Sequence, residues 1–248
     1  MKARVALVTG GGRGIGREAA LLLAQAGARV MITSRSAAEL SGVGVDYVAA
    51  DLGTTEGCAH AVHETERRLG PIDLLVVNHG IGSAHERLVW EQDPAVWRET
   101  MRINLDGPFE LARLTVGGMC ERGYGRLVFT SSTAGEKAER SGSAYTASKH
   151  GVIGLARAVA QDAGPFGVTS NAVLPGWVKT EMAERSAKTE AERRGISVEQ
   201  VWSERAAIYP RNRVLEPREV AEVIAFLCSD AAGGVNGEAI TVALGGMW

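Results

Sequence analysis

Seven short apolar runs punctuate the chain, at Val5–Val8, Val30–Thr33, Tyr47–Ala50, Leu74–Val77, Leu127–Thr130, Val168–Val173 and Ala239–Val242. They are nearly all apolar rather than alternating, the pattern of strands covered on both faces. Between them lie stretches with helical spacing: Gly16–Ala26, Thr54–Leu69, Asp93–Met119, Ser143–Ala163 and Pro217–Ser229. Thr54 is placed to cap its helix, and Asp93-Pro94 sets a capping side chain ahead of a proline at the first helical position. Strands alternating with helices require crossover connections. They predict an α/β fold: a doubly wound, mostly parallel sheet of about seven strands with helices on both faces.

No linker, repeat or low-complexity stretch divides the chain, so residues 1–248 are expected to form a single domain. One segment departs from the rest: 181–219 carries 16 charged residues in 39, eight of each sign. It falls between the sixth and seventh strands and is longer than an ordinary connection, so it reads as a helical excursion placed to act as a lid. An apolar fraction of 45% with 23% charged residues excludes a disordered chain. A net charge of −2 gives no global field to hold a phosphate backbone, and nucleic acid is not an expected partner. Cys58, Cys120 and Cys228 are too dispersed for a disulfide framework or a metal cluster and suit a reducing compartment. The first apolar stretch, Val5 to Thr9, is too short for a signal peptide, and no later run reaches the roughly 18 residues of a membrane span. A cytoplasmic protein without a membrane partner is expected.

Glycine is the one unusual count, 31 residues. Several stand in Thr9-Gly10-Gly11-Gly12-Arg13-Gly14-Ile15-Gly16, directly after the first strand and opening the first helix. A glycine turn there presents free backbone N–H groups and a positive helix end, and without Cβ atoms it lets a pyrophosphate approach closely. The spacing of Gly10, Gly14 and Gly16 resembles that of the short-chain dehydrogenase/reductase family, in particular its single-domain branch of 3-oxoacyl-[acyl-carrier-protein] reductases. The resemblance implies a Rossmann-type dinucleotide-binding fold, an NAD(P)-dependent oxidoreductase and a homotetramer.

An acid usually ends the second strand, about 20 residues beyond the loop, when the ligand is NAD. Here Ser34 occupies that place, followed by Arg35, with Arg13 in the loop itself. Two cations and no acid suit a 2′-phosphate, so NADP (as NADPH) is expected rather than NAD. By resemblance, Asp51-Leu52 flank the adenine, and the short stretch from Arg35 to Asp51 implies a clipped second helix. Ile15, Asn78, Gly80, Pro175, Gly176, Val178 and Thr180 complete the expected cofactor contacts. The family's Asn-Asn-Ala-Gly reads Val77-Asn78-His79-Gly80 here, and its near-terminal Val-Asp-Gly-Gly reads Val242-Ala243-Leu244-Gly245-Gly246. His79 is read as local packing. His60, His63, His85 and His150 show no metal-ligand spacing, and no metal is expected.

Tyr145-Thr146-Ala147-Ser148-Lys149 puts a phenol and an ammonium on one helix face, four residues apart. Ser132 ends a strand thirteen residues earlier, and Asn104 lies within the long helix 93–119. All four match the resembled family's catalytic set. Reducing a ketone needs a hydride, which the cofactor supplies, and a proton, which the protein must donate. A phenol with a free pKa of about 10 is a poor acid–base group near neutrality, and a cation within reach lowers that value. Tyr145 is assigned as proton donor, Lys149 as its tuning cation and, by resemblance, a ligand of the nicotinamide ribose. Ser132, rather than Ser131, is expected to bond the substrate oxygen. Asn104 would, by resemblance, hold a water that connects Lys149 to solvent.

The substrate end should be lined by the 82–90 loop, the residues after Ser132, Trp177, and Met182 and Trp202 of the excursion. A 3-oxoacyl thioester is the leading substrate class, with Lys137 and Arg140 available to an anionic acyl carrier. Hydroxybutyrate dehydrogenases carry basic residues where this chain has Ala134 and Gly142, which argues against a small acid. The alternatives are a dehydrogenase of a cyclic, steroid-like or sugar alcohol, and a non-catalytic nucleotide-sensing protein on the same fold.

Overall fold

The structure, a computed structural model, describes residues 3–83 and 87–246. Seven parallel strands form one sheet: β1 Val5–Thr9, β2 Arg29–Ser34, β3 Asp46–Ala49, β4 Leu74–Val77, β5 Gly125–Thr130, β6 Val168–Pro175 and β7 Ala239–Val242. Their order across the sheet is β3-β2-β1-β4-β5-β6-β7. The expected doubly wound α/β fold is borne out. The order reverses at β1 and β4, and a crevice opens at such a switch point beyond the strands' carboxyl ends.

The helices are α1 Gly14–Gln25, α2 Ala37–Ser41, α3 Thr55–Leu69, α4 Pro94–Met101, α5 Gly107–Glu121, α6 Ser143–Ala163, α7 Glu181–Arg194, α8 Val198–Ala207 and α9 Pro217–Leu227. Adjacent strand residues point to opposite faces, so each strand feeds two cores. Leu7, Leu75, Leu127 and Phe129 pack with Leu111, Met119 and Ile153 on one face. Ala6, Val8, Val76 and Val128 pack with Leu23, Ile224 and Leu227 on the other.

The second helix is indeed clipped, to five residues capped by Ser36. The continuous helix expected over 93–119 is instead broken into α4 and α5 by a π-helical turn, Arg102–Asp106. Pro108 explains the break. It has no N–H to give the Asn104 carbonyl, and its ring crowds that oxygen. The ladder widens instead, and Gly107 N–H reaches back to the Arg102 carbonyl. The excursion is also shorter than expected. It comprises α7, α8 and a loop ending near Leu215, because Glu216 and Glu219 already form the capping box of α9. Its neck is closed by Leu215 N–H to the Trp177 carbonyl at 2.9 Å and Lys179 N–H to the Leu215 carbonyl at 2.8 Å. No helix among the described residues is long and apolar enough to cross a membrane.

Candidate active site

The glycine loop runs from β1 into α1. Gly14 takes φ +53, open to glycine at little cost. A Cβ on Gly16 would overlap the Gly10 carbonyl oxygen, so the turn can be this tight only with glycine there. No side chain caps α1 and no acid stands in its first turn. Its first N–H groups are therefore left for an anion from outside, the arrangement a pyrophosphate requires.

Thr9 ties this loop to the end of β4. Its hydroxyl oxygen accepts from the backbone of Asn78 at 2.9 Å and His79 at 3.2 Å, and its hydrogen goes to His79 Nδ1 at 2.8 Å. His79 Nδ1 is then the acceptor, which leaves its proton on Nε2. Burial, and then repulsion from Lys149, hold the imidazole's pKa down at about 3. The ring is neutral, bonded to Thr9, and lines the cavity described below.

Asn104 lies on the π-helical turn, not in regular helix. Its Oδ1 accepts from Ile81 N–H at 2.8 Å, and its amide donates to the Ile81 carbonyl at 2.9 Å and to Ser148 Oγ at 3.2 Å. Ser148 Oγ donates in turn to the Tyr145 carbonyl at 2.8 Å. Asn104 thus splices the loop after β4 to the second turn of α6. Ser148 was not foreseen as part of the site, although its place one residue before Lys149 was in plain view.

Lys149 is 6% exposed and donates to the Thr130 carbonyl at 3.0 Å. Its Nζ stands 5.6 Å from the centre of the Tyr145 ring. Burial draws its pKa down to about 8. α6 begins without a side-chain cap or an acid in its first turn, so its positive end also favours negative charge near Tyr145. The two serines differ in engagement. Ser131 Oγ donates to the Lys149 carbonyl at 2.8 Å. Ser132 Oγ accepts from Ala134 N–H at 3.1 Å, which leaves its own hydrogen to point elsewhere.

Ser132, Tyr145 and Lys149 line one cavity of about 1170 Å³ together with Gly10, Arg13, Gly14, Ile15, Ser34, Arg35, Asp51, Leu52, Asn78, Gly80, Pro175, Gly176, Val178 and Thr180. Gly16 and Asn104 stand behind its wall. The volume exceeds that of an ordinary small-ligand pocket, as a dinucleotide beside a substrate demands. Glu39 was not foreseen: it lines the cavity near Ser34 and Arg35, and Arg13 donates to it at 3.3 Å and to Glu181 at 2.8 Å. The signal was hidden because α2 is so short that its side chains fold back toward the glycine loop.

At the other end the lining includes Gly82, Ser83, Ala134, Lys137, Trp177 and Met182. Two expectations fail here. Trp202 packs behind α7, its Nε1 donating to Glu184 at 2.8 Å. Trp90 is 77% exposed and not in the lining. His85 lies outside the described residues.

A parallel sheet whose uncapped first helix shares a cavity with a buried lysine, a tyrosine and a serine defines a dinucleotide-dependent oxidoreductase. The model of a family described as enoyl-(acyl carrier protein) reductase matches residues 10–247. An acetoacetyl-CoA reductase of Rhizobium meliloti (strain 1021) is 36% identical over 96% of each chain. Among solved structures, levodione reductase is similar at a TM-score of 0.94, with 32% identity over 99% of this chain and 98% of that one. An actinorhodin polyketide ketoreductase variant solved with NADPH gives a TM-score of 0.90, with 33% identity over 98% of each chain. This chain belongs to the short-chain dehydrogenase/reductase family and is an NAD(P)-dependent oxidoreductase acting between alcohols and carbonyls.

Proposed function

We propose that the protein reduces 3-oxoacyl thioesters with NADPH. The observation that carries this reading is the convergence of Ser132, Tyr145 and Lys149 on the cavity that the glycine loop opens into. Nicotinamide, when bound, supplies the hydride. Tyr145 gives its phenolic proton to the carbonyl oxygen, and the free hydrogen of Ser132 bonds the same oxygen as charge builds on it. Lys149, close to its own titration near neutral pH, favours the phenolate left behind and restores its proton. Asn104 acts by holding Ile81 and Ser148 in place. The roles of Gly10, Gly14, Gly16 and Ile15 at the pyrophosphate, and of Pro175, Gly176, Val178 and Thr180 at the nicotinamide, follow the family pattern.

NADP is preferred over NAD because Arg13 and Arg35 flank the end of β2, where an acid would hold a ribose hydroxyl. Glu39 opposes them but is already paired with Arg13. The names of the reductase relatives and the apolar wall of Ala134, Trp177 and Met182 support an acyl substrate. Trp97 and Phe109, exposed on α4 and α5, support self-association through that face, and a homotetramer follows the family pattern.

Following NADPH oxidation with acetoacetyl-CoA and a panel of simple ketones tests the reading. Tyr145→Phe should lose about 10²–10⁴-fold in kcat, with the NADPH Kd within about twofold of wild type. An active Tyr145→Phe variant removes Tyr145 as proton donor. Tight NADPH binding without turnover on any substrate would turn the reading to a nucleotide sensor.

A further inference from the structure

The α7–α8 hairpin has little apolar hold on the rest of the molecule. Its buried side chains are Ala183, Ala187, Ala191, Val201 and Arg205. Ala187, Ala191 and Val201 form a cluster of their own, apart from the two cores that flank the sheet. Ile196, Val198 and Trp202 of the same segment pack against it, so this apolar burial holds the hairpin together rather than to the body.

Besides the exposed Arg13–Glu181 pair, Arg205 supplies a buried attachment. It is 5% exposed. Its guanidinium lies 3.7 Å from the centre of the Trp177 ring and 5.1 Å from that of Trp202. The same group donates to the Ala183 carbonyl at 3.0 Å, to Ser186 Oγ at 3.1 Å and to Glu190 at 2.9 Å. Trp177, Ala183 and Ser186 all line the cavity, whereas Arg205 stands behind them. A planar fork clamped on an indole face and bonded to one helix admits few arrangements. A buried guanidinium with a single carboxylate partner also resists any motion that would part them.

We propose that Arg205 is a positioning residue for the substrate. By fastening α7 and α8 to the Trp177 turn it keeps that wall of the cavity preformed for the acyl portion of a 3-oxoacyl thioester, an assignment that rests on the reductase reading. Arg205 acts through Trp177 and does not touch the reacting atoms. Its loss should weaken substrate binding and spare both the chemical step and the cofactor.

The test compares wild type with Arg205→Met and Arg205→Lys. NADPH Kd is measured by fluorescence titration, and KM and kcat with acetoacetyl-CoA. Arg205→Met should raise KM by roughly tenfold or more, with kcat and NADPH Kd within about twofold, and Arg205→Lys, which keeps the charge without the fork, should fall between. An unchanged KM in folded Arg205→Met, or a KM rising only in step with NADPH Kd, overturns the proposal. If Arg205→Met does not fold, Arg205→Lys decides through amide hydrogen exchange. Exchange about tenfold faster over 181–207, with α1 and α6 unaltered, supports the role, and unaltered exchange over 181–207 overturns it. The exchange measurement needs no substrate. A wild-type protein that reduces no thioester would refute the reductase reading alone and leave the fastening role to be decided by exchange.

Discussion

Lys149 carries its charge at the expense of folding. Its ammonium is nearly out of water and has one carbonyl partner, so the folded state favours the neutral amine and the pKa falls from 10.5 to about 8. Between those values the unfolded chain binds a proton that the folded chain does not. Stability from this residue therefore rises as pH climbs from about 8 to 10.5, and below 8 the folded state bears the full penalty of the buried charge. Lys149→Met should stabilise the protein at pH 7 by about 2 kcal/mol, allowing for the lost bond to Thr130, while turnover disappears. Urea unfolding at pH 7 and pH 10 checks this. The gain should shrink at pH 10, and a variant less stable than wild type at pH 7 would show that the ammonium is favourably solvated. Ser132, Tyr145 and Lys149 were legible in the sequence because their spacing is local and Ser132 follows closely on the end of β5 at Thr130. The Asn104–Ile81 splice and the Arg13–Glu181 pair were not, since they join segments 23 and 168 residues apart whose meeting depends on the whole fold.

The π-helical turn between α4 and α5 shows how an element is set by a single neighbour. Widened turns of this kind recur at functional sites because they re-aim one side chain without ending the helix. Gly107, at its close, would gain about 1 kcal/mol from alanine by helix propensity. A Cβ there would overlap the Leu52 carbonyl oxygen and come within 3.0 Å of His79 Nε2. Steric crowding wins, so Gly107→Ala should lose about 2 kcal/mol of stability, read as a lower Tm. A Tm at or above wild type would show that the turn yields to the methyl group. The sequence held the signal for the break in Pro108. Apolar spacing continues on either side of it, so periodicity alone reads straight through. By contrast α6 matches its expected bounds, 143–163, because apolar residues continue to Ala163 and a Gly-Pro step follows.

At the scale of the molecule, the cavity runs from the clipped α2 at the end of β2 to the excursion beyond β6, so a dinucleotide would span much of the sheet's carboxyl edge. Such a ligand binds only the folded chain and must stabilise it. At a hundredfold excess over its Kd the gain is about 2.7 kcal/mol, or roughly 5–10 °C in Tm for a chain of this size. NADP should give a larger shift than NAD at equal concentration, and Arg35→Ala should narrow the difference. Equal shifts in the wild type would refute the assigned preference. The sheet and its layers were legible because strands covered on both faces leave unmistakable apolar runs. The extent of the excursion was not, since its last charged residues serve as the cap of α9 rather than as part of the hairpin. Its neck has a further consequence. The chain leaves and rejoins the body at hydrogen-bonded neighbours, Trp177, Lys179 and Leu215, so the intervening span behaves as an exchangeable cassette. Shortening or replacing it should leave the hydride-transfer machinery beneath as it was.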